Sequence, residues 1–178
     1  MTNLSRYISE KLSVSKASSI NHSCNPQSKN ELQDIIIERV DKDYSCDLND
    51  IDVSQIEDMS QLFSNINYIE NIDISQWDVS GVKDMSYMFE CCEKFNCDLS
   101  QWDVSSCKDF GTMFFGCESL DTDLSGWQPD KNAKFSWMFY DCKKLNCDLS
   151  KWDLKDNKYK AFMFRHCDSM EKLPDWYK

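Results

Sequence analysis

Along Phe95 to Ser100 apolar and polar side chains alternate, with Phe95, Cys97 and Leu99 on one side and Asn96, Asp98 and Ser100 on the other. A period of two is that of a half-buried extended segment and predicts a short strand. The series Leu120, Thr122, Leu124 and Leu145, Cys147, Leu149 repeat the alternation. The spacing then changes. Met85, Met88, Phe89 and Cys92 fall at i, i+3, i+4 and i+7, as do Phe110, Met113, Phe114 and Cys117, then Phe135, Met138, Phe139 and Cys142. Those offsets match one face of a short helix, so each unit is expected to run strand, corner, helix and return. Asp58, Asp84 and Asp109 stand just ahead of the helical spacing, where an Asp side chain caps free N–H groups.

The two patterns recur together at a fixed interval. Trp77, Trp102, Trp127 and Trp152 are 25 residues apart, and the same interval separates Cys92, Cys117, Cys142 and Cys167. Met88 and Phe89 recur likewise as Met113 and Phe114, Met138 and Phe139, and Met163 and Phe164. A weaker first copy has Ile51, Leu62, Phe63 and Ile66 near the matching places. A period in the twenties marks a solenoid, in which each unit buries its apolar face against the next. The last two units depart from the pattern: Gln128 and Pro129 interrupt the corner after Trp127, and Lys160 stands at the Met85 position with Tyr159 expected to substitute for it. A lone Trp176 is placed to close the core end.

Before the repeats lie two helix candidates, residues 4–12 and residues 29–40, joined by a loop over 13–27. The second opens on Ser28 with Glu31 three residues on, the spacing of a capping box. Leu32, Ile35, Ile36 and Val40 share a face that is expected to cover the open edge of the first coil.

The repeated W-D-x-S followed by D-M-S-x-M-F-x-x-C, as in "DISQWDVSGVKDMSYMFECC", resembles the BspA-like leucine-rich repeats, also described as mycoplasma lipoprotein-type repeats, over residues 46–172. The resemblance implies an α/β leucine-rich-repeat solenoid of about five such coils, with a parallel sheet on its concave side. Residues 1–45 would form an N-terminal helical cap, and residues 46–178 the solenoid with its C-terminal capping segment. Proteins of that kind are typically binding surfaces, often exported and adhesive.

Charge and cysteine content change this picture. The net charge is −11, but residues 46–130 carry 3 basic and 18 acidic side chains, whereas residues 131–178 carry 11 basic and 7 acidic. An acidic middle disfavours direct contact with nucleic-acid phosphates. The opening residues contain no apolar run of signal-peptide length, and nowhere do eighteen apolar residues occur together, so a cytoplasmic chain without membrane contact is expected. Its 10 cysteines are then read as reduced thiols.

The outward positions of the predicted strands hold Asp47, Asp73, Asp98, Asp123 and Asp148, flanked by Asn96, Asp121 and Asn146. Asp73, Asn96, Asp98, Asp121, Asp123, Asn146 and Asp148 are the expected partner-binding residues, facing another protein with a basic surface. A solvated acidic face is the plainer reading of the same residues. The cysteine column is expected to pack as small hydrophobes, since no C-x-x-C pair is present to start a metal site. Asp41, Asp43, Ser45, Asp47, Asn49 and Asp52 imitate a calcium loop, but Cys46 occupies the turn position that needs glycine, and Asp52 replaces the bidentate Glu. There is no glycine-rich phosphate loop, and His166 adjoins Cys167 in sequence, an arrangement that does not form a nucleophile–base pair. The expectation is a protein-binding module that is not an enzyme and takes no cofactor or metal. A second reading is an acidic nucleic-acid mimic that inhibits a DNA- or RNA-handling protein.

Overall fold

A computed structural model describes residues 22–177. The helix candidate over residues 4–12 and most of the loop over 13–27 lie outside them. One α-helix is present among the described residues, α1, Lys29–Lys42. Its start follows from the capping residues: Ser28 Oγ accepts the Glu31 N–H at 3.3 Å, and the Glu31 carboxylate reaches back to the Gln27 N–H at 2.8 Å. The apolar face of α1 buries Leu32, Ile36 and Val40 against the first repeat. Lys29 Nζ fastens the helix to Ser60 Oγ at 2.6 Å and to Asp58 at 3.2 Å.

The expected leucine-rich-repeat solenoid of strand-plus-helix coils does not form. Among the described residues no repeat contains an α-helix or a built strand. Pairing is confined to isolated parallel bridges, such as Asp47 with Asp73 and Asp84 with Asp109. Where strands were expected, side chains take over part of the ladder. The Leu99 N–H goes to Thr122 Oγ1 at 3.4 Å, and the Asp121 N–H goes to Asn96 Oδ1 at 3.0 Å. The alternating burial of Phe95, Cys97 and Leu99 survives, but the expected concave parallel sheet is absent among the described residues.

The segments expected to be helices are chains of β-turns. The Met88 N–H bonds Met85 O, Glu90 bonds Tyr87 O, and Cys92 bonds Phe89 O, each an i to i+3 closure. Between these closures the N–H groups of Met85, Tyr87, Phe89 and Cys91 leave the segment for the carbonyls of Asp109, Gly111, Met113 and Phe115 in the next repeat, at 2.7–3.0 Å. The same exchange links Phe110 through Gly116 to Lys134 through Tyr140, and Phe135 through Asp141 to Tyr159 through Arg165. Each repeat is therefore a rung, and half of the N–H groups in its turn segment hold the next rung instead of a helix.

That direction requires the backbone to reverse hand twice per rung. Tyr87 and Cys91, Thr112 and Gly116, Trp137 and Asp141, and Phe162 and His166 all have φ between +58° and +72°. For a residue with a Cβ this conformation costs about 1–2 kcal/mol, and Gly116, Asn65, Asp141 and His166 are the residue types here that accept it more readily. Thr112→Gly is accordingly expected to stabilise the protein by about 0.5–1 kcal/mol, relief of strain outweighing glycine's greater freedom in the unfolded chain. In a helix the same change would destabilise, so the sign of the shift in a urea titration distinguishes the two backbones.

Stacking of identical rungs turns each buried position into a column. Phe63, Phe89, Phe114, Phe139 and Phe164 form a file with ring centroids 5.2–5.7 Å apart. Trp102, Trp127, Trp152 and Trp176 form a second, 6.2–6.5 Å apart and nearly parallel. Each indole also donates to a carbonyl of the preceding rung, as Trp127 Nε1 does to Leu99 O at 2.9 Å. Trp176 repeats that bond to Leu149 O at 2.8 Å and closes the file. Tyr159 does not substitute for the missing apolar residue at Lys160. It lies exposed, while Lys160 Nζ folds back onto the carbonyls of Leu154 and Lys155.

Candidate functional site: an acidic row and an aromatic face

The aspartates of the repeat are turn residues before they are anything else. Asp73, Asp98, Asp123 and Asp148 each accept, through Oδ1, the N–H of the residue two positions on, at 2.9–3.0 Å. A short side chain that mimics a backbone turn in this way explains the recurrent D-x-S. Asp78 and Asp103 do the same after the Trp corner, and Asp58, Asp84 and Asp109 do it ahead of the turn segments. The last three are thus Asx turns rather than helix caps.

One carboxylate oxygen remains for other work. Asp73, Asn96, Asp98, Asp121, Asp123, Asn146 and Asp148 are all exposed and occupy matching positions on successive rungs. Bonds from Ser125 and from Ser150 hold the carboxyls of Asp123 and Asp148 below the usual carboxylate range, so both stay charged. Asp121, Asp123, Asn146 and Asp148 border a shallow depression of about 300 Å³ with Thr122 and Cys147 in its lining. Asn96 has a second duty, since its side chain holds the next rung at Asp121.

The cysteine column has a use that burial alone does not explain. The thiols of Cys92, Cys117, Cys142 and Cys167 each donate to the carbonyl of Phe63, Phe89, Phe114 or Phe139 in the preceding rung, at 2.9–3.0 Å. The Phe89 carbonyl already receives the Cys92 N–H, so the Cys117 thiol fills its second lone pair. Burial pushes the Cys92 thiol up to about 12 and those of Cys117 and Cys142 well above the ordinary value. Thiols so protonated are inert packing donors, and Cys167 is tied to Phe139 O rather than to His166.

Around residues 41–52 the candidate calcium ligands are engaged locally. Asp43, Asp47 and Asp52 close turns at Ser45, Asn49 and Ser54, and Asn49 Oδ1 accepts the Gln76 N–H at 2.8 Å. Among the described residues no three His, Cys, Asp or Glu side chains converge on a point where a metal ion would sit. No helix of the described residues is long and apolar enough to cross a membrane.

A second surface escaped the sequence reading. Phe115, Trp137, Tyr140 and Phe162 pack together on the outside of the turn segments, with centroid distances of 4.7 Å for Trp137–Phe162 and 4.8 Å for Phe115–Tyr140. Arg165 lies over the Phe162 ring at 5.8 Å, and His166 meets Tyr140 edge-on. The signal was present as aromatics recurring at 25 residues (Phe115 with Tyr140, Trp137 with Phe162), but helical spacing placed them on an uninformative solvent side.

Comparison with known proteins gives a family and no activity. No curated protein and no solved structure matches the chain. The family match carries no function, so it lends nothing to the inhibitor and nucleic-acid-mimic reading. The family model described as "Mycoplasma protein of unknown function, DUF285" matches residues 38–128 and 57–176, and with that span the chain belongs to this family.

Proposed function

We propose that the protein is a non-enzymatic binding module that takes a basic partner protein on the row formed by Asp73, Asn96, Asp98, Asp121, Asp123, Asn146 and Asp148. The observation that carries this reading is the register: the exposed side chains repeat on successive rungs, so their fields add along one line. Likeness of the W-D-x-S motifs to BspA-like repeat proteins, which are typically binding surfaces, points the same way. The buried, protonated thiols suit a reducing compartment such as the cytoplasm.

The turn bonds dictate how the row must be tested. Lysine at Asp98 or Asp123 would break the Asx turn along with the charge, whereas asparagine keeps Oδ1 as acceptor. The double variant Asp98→Asn, Asp123→Asn is expected to fold with unchanged stability, within about 0.5 kcal/mol. Its affinity for a deca-lysine probe should drop roughly tenfold at low salt, and the salt dependence should flatten. Asp78→Asn, Asp103→Asn removes the same charge from the neighbouring turn column and should have a clearly smaller effect. Equal losses in the two pairs would mean that net charge alone binds the probe, and the row would lose its assignment.

A further inference from the structure

The ladder of turn segments ends unfinished. In the preceding rung the N–H groups of Phe135, Trp137, Phe139 and Asp141 reach the carbonyls of Tyr159, Ala161, Met163 and Arg165. The equivalent donors of the last rung are Lys160, Phe162, Phe164 and His166, and among the described residues nothing accepts from them. Phe162 and His166 are exposed, while Tyr177 covers the ring of Phe164 at 4.9 Å. A row of unpaired N–H groups at alternate residues is a template for one more segment.

The side chains at this end define what that segment must carry. Position by position, Phe162 continues the column of Tyr87, Thr112 and Trp137, and the rings of Trp137 and Phe162 lie against one another. Arg165 continues the column of Glu90, Phe115 and Tyr140, and an adjacent hollow of about 520 Å³ is lined by Lys155, Lys158 and Lys160 against the single carboxylate of Asp156. The charge is thus opposite to that of the acidic middle rungs. A second copy of the chain does not offer its first rung, because α1 is fastened there by Lys29 to Ser60 and Asp58, with Leu62 and Phe63 fully buried.

We propose that this end docks an acidic segment of another protein as an additional rung. The segment supplies main-chain carbonyls to the N–H groups of Phe162 and His166, an aromatic ring onto Phe162 and, three residues later, a carboxylate to Arg165. This site is separate from the acidic row and takes a partner of opposite charge.

The chain contains a segment of the required chemistry in its own interior. A peptide copying residues 84–93, with Cys91→Ser and Cys92→Ser, places Tyr87 for Phe162 and Glu90 for Arg165 and serves as the probe. Amide hydrogen exchange at Phe162 and His166 is expected to be fast in the full chain and slowed at least about tenfold by saturating peptide. Arg165→Glu should weaken the peptide about tenfold, and restoring attraction with Glu90→Lys in the peptide should recover most of that loss. Slow exchange at both amides without peptide would show the row already covered and overturn the proposal. So would peptide binding that leaves both amides unprotected, or no binding at about 1 mM peptide, the weak limit for a useful contact. None of these outcomes bears on Asp98 and Asp123, so the fate of the acidic row is read independently.

Discussion

Phe114→Ala is expected to destabilise the whole stack by about 3–5 kcal/mol. The ring is fully buried and lies 5.5 Å from Phe89 and 5.7 Å from Phe139, so its removal opens a cavity between two rungs at once. Each rung buries its apolar surface only against its neighbours, and loss at the centre therefore propagates to both ends. Urea unfolding should remain a single transition with a lower midpoint. A loss under about 0.5 kcal/mol, the scale of a surface change, would place Phe114 outside the core and contradict the stacking file.

Alkaline pH is expected to unfold the protein through its buried thiols. Burial pushes the thiols of Cys97, Cys107 and Cys147 up to about 11 and that of Cys92 up to about 12, with Cys117 and Cys142 also raised. An unfolded chain releases these protons near pH 8.5, whereas the folded chain keeps them, so the unfolded state binds fewer protons as pH rises and stability falls. The contribution is complete below about pH 8.5 and drains away toward the folded values. For the most enclosed thiols, Cys92, Cys107, Cys117 and Cys142, each pH unit in that window removes roughly 1.4 kcal/mol per thiol. Urea midpoints measured from about pH 8 to about pH 10 should fall steeply. Cys117→Ala should start lower, because the Phe89 carbonyl loses a donor, yet decline less steeply by one thiol's share. A flat profile in the unmodified protein would mean that the column thiols ionise in place and are not enclosed.

The candidate surfaces were legible to different degrees. Outward placement of Asp73, Asp98, Asp123 and Asp148 follows from the alternation with Leu99, Leu124 and Leu149, and the exposure of all four agrees with it. Their commitment to their own turn amides was not foreseen, although D-x-S is the local signature of such a turn. The aromatic face was missed for a geometric reason. On stacked helices, whose axes lie about 8–10 Å apart, Trp137 and Phe162 would be more widely spaced, whereas the rungs bring their rings to 4.7 Å.

By itself the sequence determined the 25-residue repeat, the members of the buried columns apart from Tyr159 in the last unit, and the start of α1 at Ser28. These depend on side-chain polarity and on contacts within a few residues, which are written locally. Only the tertiary structure decided the backbone that carries them. Spacing at i, i+3, i+4 and i+7 buries the same side chains in a helix and in a chain of β-turns, so the pattern of apolar residues cannot separate the two. The choice lies with N–H groups such as those of Met85, Tyr87 and Phe89, which bond carbonyls 24 residues on in the next rung instead of a carbonyl one turn back. That partner exists only once the neighbouring rung is in place, and its bonds offset the cost of left-handed residues at Tyr87 and Thr112 that no local preference would select.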